Sequence, residues 1–153
     1  MNTKLVLALA ALSYAPSVVA GNESAYPTEK VAAFVVEKMD LTSLPSAFRP
    51  KKDKGKKTFA DYGFTAQMVN ENEAIVEVAS GAMRLSIKVL EQKLSGIYVC
   101  VVELGENGSQ AKAQSVILLK RKDSNALLKG RESFREFAGC PVIGGSDPSS
   151  NSY

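Results

Sequence analysis

Six basic side chains fall within nine residues: Arg49, Lys51, Lys52, Lys54, Lys56 and Lys57, with Asp53 the one acid among them. The run carries a local charge of +5, whereas the whole chain carries only +3. Clustered cations attract anions over a Debye length, about 8 Å at physiological salt. Pro50 and Gly55 argue against helix or strand here, so the run is expected to be an exposed loop. It reads in two ways: as a landing site for an anionic surface, or as a solvated linker. Lipid head groups and acidic polysaccharide suit the first reading. Nucleic acid is disfavoured, because no aromatic residue interleaves the lysines to stack on bases.

Catalysis has little to work with. The chain contains no histidine, the side chain most used for proton transfer near neutral pH. Ser-His-Asp and Cys-His arrangements are thereby excluded. The turn Gly105-Glu106-Asn107-Gly108 lacks the lysine and following helix of a phosphate loop. A carboxylate pair drawn from Asp61, Glu77 and Glu103, all in expected strands, is the remaining route. No catalytic residue, metal site or cofactor is assigned, and the chain reads as non-enzymatic.

Cys100 and Cys140 are the two cysteines. The first twenty residues have the parts of a secretory signal: Lys4, an apolar core from Leu5 to Leu12, and small residues at Ser17-Val18-Val19-Ala20. Cleavage after Ala20 would leave 133 residues, a common size for one domain. A secreted or periplasmic location follows, with no transmembrane segment in the mature chain. In an oxidising compartment the two cysteines most simply pair. Closing that 41-residue loop contributes about 4 kcal/mol on the chain-entropy model. Asn22-Glu23-Ser24 and Asn107-Gly108-Ser109 match the glycosylation acceptor pattern.

The elements that must position these groups follow in order. Gly21–Tyr26 reads as a flexible leader. Pro27-Thr28-Glu29 opens a helix, with Val31, Phe34, Val35 and Met39 on one apolar stripe. Asp40–Ser43 ends it and caps a short turn through Phe48. After the basic run the period becomes two, and strands are expected at Thr58–Phe64 (extending towards Val69), Ala74–Val78 and Met83–Val89. Glu91–Gly96 turns the chain into Ser95–Leu104, apolar on both faces and hence central. Ala113–Leu119 returns beside it, and Ala126–Leu128 with Ser133–Phe137 gives an irregular edge. Gly144–Tyr153 has the composition of a disordered tail.

Gln92-Lys93-Leu94-Ser95-Gly96 resembles the Gln-x-Val-x-Gly hairpin loop of the cystatins, inhibitors of cysteine proteases. The resemblance implies a helix with an antiparallel sheet and a hairpin that wedges into a protease cleft. Leu94 departs from the pattern, and the chain has no tryptophan for a second inhibitory hairpin.

The sequence therefore predicts an α+β domain over 21–143: an N-terminal helix packed on a curved, five- or six-stranded antiparallel meander, in the limit a partly closed barrel. Its function is expected to be that of an exported binding or accessory protein. The partner is another protein or an anionic surface met through the basic loop. The alternative is an inhibitor of an exported enzyme, acting through residues 92–96.

Overall fold

A computed structural model of the chain describes residues 26–105 and 110–140. The signal-like segment, both glycosylation patterns and the C-terminal tail lie outside the described residues. In chain order the elements are α1 (Val31–Lys38), β1 (Met39–Asp40), two short 3-10 turns (Leu41–Ser43 and Ser46–Phe48), β2 (Phe64–Asn70), β3 (Glu73–Val78), β4 (Arg84–Lys93), β5 (Gly96–Leu104), β6 (Ala111–Lys120) and β7 (Leu128–Glu132). The strands form one curled, half-barrel sheet in the order β1-β7-β6-β5-β4-β3-β2.

β5 lies at the centre of that order. Its alternation explains why: Ile97, Val99 and Val101 face the concave side, fully buried, and Cys100 is buried on the other side. Register pairs Ile87 with Val101, Val99 with Ile117 and Ile97 with Leu119, so one apolar layer runs across three strands. Val31, Val35, Met39, Leu41 and Phe48 join the same core. A smaller cluster covers the convex face, where Cys100, Cys140 and Val116 meet Leu90, Tyr98 and Phe137. The disulfide joins Cys100 to Cys140 with 5.6 Å between their Cα atoms.

Several expectations are corrected. The sheet has seven strands and is mixed, because β1 pairs in parallel with β7 through Met39↔Leu128 and Asp40↔Lys129. Strand β7 is therefore flanked on both sides, and Ser133–Phe137 is not strand. The helix starts at Val31 and not near Pro27, since Lys30 is left-handed at φ 51° and breaks the helical run. Tyr26 is no flexible leader: it is buried, and its hydroxyl accepts the Arg121 N–H at 3.4 Å.

Thr58–Gly63 is a single helical turn, not a strand. Asp61 Oδ2 accepts the N–H groups of Lys57 (2.9 Å) and Thr58 (2.8 Å), while the Asp61 N–H donates to Thr58 Oγ1 (3.2 Å). This is a capping box with Asp in the usual Glu place. The turn stops at Gly63, φ 74°, where the N–H groups of Gly63 and Phe64 reach back to the carbonyls of Ala60 and Phe59. That pair of bonds is a Schellman closure, and it needs a residue that tolerates positive φ.

The expected wide turn at Glu91–Gly96 is also narrower. β4 continues through Lys93, leaving Leu94-Ser95 as a two-residue link, with a register irregularity at Val89/Glu91. Gly96 is required by close packing. A Cβ there would lie 2.6 Å from the Leu119 carbonyl oxygen.

Candidate functional site

The basic run leaves the 3-10 turn ending at Phe48 and crosses to the capped turn at Thr58. The far foot is held. The Leu41 N–H donates to the Lys57 carbonyl at 2.8 Å, and Asp61 holds the Lys57 and Thr58 amides. Between the two turns the Asp53 N–H donates to the Tyr62 hydroxyl at 3.2 Å, pinning the crown of the loop to the helical turn below.

Most of the charge in this loop is uncompensated. Lys56 pairs with Asp53 at 2.9 Å and lies over the Tyr62 ring at 5.7 Å. The Lys56 ammonium, hydrogen-bonded to Asp53, holds that carboxyl below the usual carboxylate range, and Asp53 raises Lys56 in return. Arg49, Lys51, Lys52, Lys54 and Lys57 have exposed side chains and no ion pair among the described residues. Their mutual repulsion is sustained by the anchored backbone.

Two depressions open beside the loop. The first, about 370 Å³, lies between Leu41-Thr42 and the lysines 52, 54, 56 and 57, with Tyr62 as a wall. The second, about 560 Å³, is lined by Phe64, Val78, Ala82 and Met83 together with Lys51 and Glu103. Both include Arg49, Pro50 and Tyr62. Sequence reasoning put Tyr62 in the strand that begins only at Phe64 and missed this second cleft. The Thr58-x-x-Asp61 spacing followed by Gly63 was the available signal for the turn that places them.

The carboxylates considered for catalysis do not converge. Asp61 is occupied in the capping turn, Glu77 lies 3.9 Å from Arg84, and Glu103 lines the second cleft. Among the described residues no cluster of three acidic or cysteine side chains could hold a metal.

The residues that resemble the cystatin hairpin sit elsewhere. Gln92 and Lys93 end β4, Leu94 and Ser95 form the link, and Gly96 begins β5. Leu94 is 82% exposed at the tip, and Lys93 pairs with Glu91 at 3.3 Å. β4 is ten residues long, so this tip and the second cleft are about 30 Å apart along the strand. They cannot act as one site.

Among the described residues no helix is long and apolar enough to cross a membrane. No family model, no curated protein and no solved structure matches the chain.

Proposed function

We propose that this is an exported, non-enzymatic binding protein that contacts an anionic partner through the loop from Arg49 to Lys57. The observation that carries the reading is the set of five exposed cations without ion pairs, on a loop that follows the buried Phe48 and is hydrogen-bonded at Lys57 and at its crown. A linker needs neither the charge nor the anchoring. Each lysine near an anionic surface contributes about 1 kcal/mol, so the set suffices for salt-sensitive binding. The signal-like first twenty residues and the disulfide support export.

The test is retention on an acidic polysaccharide and on anionic vesicles at low salt. Changing Lys51, Lys52, Lys54, Lys56 and Lys57 to Gln is expected to drop retention to that of a neutral matrix without lowering the melting temperature. A wild-type protein that is not retained at low salt would reduce the loop to a solvated linker.

The exposed Leu94 favours a second reading, inhibition of a papain-type protease through the β4–β5 tip. Assay against papain decides it: no inhibition at micromolar protein removes this reading.

A further inference from the structure

We propose that the free edge of β2 pairs with β2 of a second copy of this chain, antiparallel and about a twofold axis through Gln67.

β2 ends the sheet opposite β1, so one side of its backbone has no strand beside it. The groups on that side follow from β3. The Val78 N–H donates to the Met83 carbonyl at 3.1 Å, and the Val89 N–H donates to the Asn72 carbonyl at 2.7 Å. Asn72 and Val78 thus turn their main-chain groups towards β4. With a period of two, Glu73, Ile75 and Glu77 turn theirs towards β2. The register partners of Ile75 and Glu77 are Gln67 and Thr65, which leaves Phe64, Ala66 and Met68 facing away from the sheet. The Phe64 N–H is already used, by the Phe59 carbonyl at 3.0 Å. Ala66 and Met68 each keep an N–H and a C=O with no partner among the described residues.

Natural sheets blunt such an edge with charge, proline or shortness. The opposite edge is blunted: β1 has two residues, both buried. β2 has seven, Phe-Thr-Ala-Gln-Met-Val-Asn, with neither a charge nor a proline, and every one from Thr65 to Asn70 is exposed.

The unpaired groups fit their own copy. With Ala66 opposite Met68 of the second copy, and Met68 opposite its Ala66, each pair exchanges two N–H···O=C bonds. Every open donor and acceptor of both residues is then satisfied, and a small side chain meets a long one. Gln67 meets Gln67 of the second copy on the axis, in a non-hydrogen-bonded pair with Cα atoms about 4.5 Å apart. An uncharged strand brings no like charges together there, although the chain carries +3. Glu71 is exposed and without an ion pair among the described residues. Antiparallel pairing sets it towards the end of the second copy where Lys56 and Lys57 lead into β2. The register shift next to Asn70 lies beyond the paired groups. Such an isologous contact uses both free edges and stops at a dimer. Contact along one strand is small beside the roughly 1,200–2,000 Å² of stable interfaces, so the association is weak.

The experiment is sedimentation velocity on the protein from about 10 μM to about 1 mM. A dimer is expected to grow in with concentration and nothing larger, while the Ala66 and Met68 amides gain protection from hydrogen exchange. Gln67→Lys and Gln67→Glu each put like charges on the axis and should weaken the dimer about fivefold or more. An equal mixture of the two variants should associate at concentrations where each alone is monomeric. Neither change should move the melting temperature, since Gln67 is exposed.

A wild-type protein that stays monomeric throughout overturns the proposal and leaves the edge for a strand of a different protein. A dimer indifferent to both variants, or a mixture no better than either alone, overturns it by showing that another surface is used. Growth beyond the dimer also overturns it.

Discussion

Thr58 and Asp61 cap each other: the Thr58 N–H donates to Asp61 Oδ2 at 2.8 Å, and the Asp61 N–H returns to Thr58 Oγ1 at 3.2 Å. The Thr58 amide, with the Lys57 amide second, holds the Asp61 carboxyl below the usual carboxylate range. A carboxyl whose folded pKa is depressed stabilises the fold above its unfolded pKa, and that contribution is lost as pH falls through the folded value. Protection of the Lys57 and Thr58 amides, relative to their intrinsic exchange rates, is therefore expected to fall as the pH drops below about 4. Asp61→Asn, whose side-chain carbonyl can still accept but does not titrate, should lose that step. Equal protection of these amides from neutral to acid pH in the wild-type protein would contradict the account.

The disulfide ties the segment after β7 to the convex face, helped by Arg135. Its guanidinium bonds Glu91 at 2.6 Å and lies over the rings of Tyr98 and Phe137. Cys100→Ser is expected to lower stability by about 2–5 kcal/mol, read by urea unfolding. Alkylation followed by intact-mass measurement gives the direct check. Two reactive thiols in the folded, unreduced protein would refute the pairing.

Truncations in the concave layer should be costly. Ile87, Ile117 and Leu119 are fully buried, and each change to Ala is expected to cost about 2–5 kcal/mol. Val69→Ala on β2, where the side chain is half exposed, should stay within about 0.5 kcal/mol. Similar losses at the two kinds of position would mean that the sheet faces are misassigned.

Gly96→Ala probes the narrow link between β4 and β5. The added methyl would meet the Leu119 carbonyl oxygen at 2.6 Å and Leu118 Cδ1 at 2.9 Å, at a φ of +153°. The hairpin must shift, at a cost of about 1–3 kcal/mol. An unchanged melting temperature would show that β6 does not pack so closely against the turn.

The central strand was legible because Ile97 to Val102 is apolar on both faces, which only a covered strand tolerates. The disulfide was legible from cysteine count and context. Thr58, Ala60 and Tyr62 misled because alternate spacing imitates a strand, which in fact begins at Phe64, while the caps that make one helical turn occupy only Thr58, Asp61 and Gly63. β1 escaped because two residues carry no periodicity, and its partner Leu128 is remote in sequence. Lys129-Gly130-Arg131 in β7 has no apolar alternation; Gly130 is instead fitted against Leu44 and Ile117. The basic loop announced itself by composition. The second cleft could not, since its walls come from four separate stretches around residues 47, 64, 80 and 103.

The parallel pair at the sheet edge also sets a timetable for synthesis. β2 to β6 are joined to their sequence neighbours, and each hairpin can form as soon as its second strand has emerged. Met39 must wait for Leu128, 89 positions later. At about 5–20 residues per second, a ribosome leaves that gap open for roughly 4–18 seconds. Throughout it β1 has no strand to pair with, and Val31, Val35 and Met39 lack part of their cover. The nascent chain is thus most vulnerable at the stretch from Val31 to Met39, and a chain broken off before Leu128 never closes that edge.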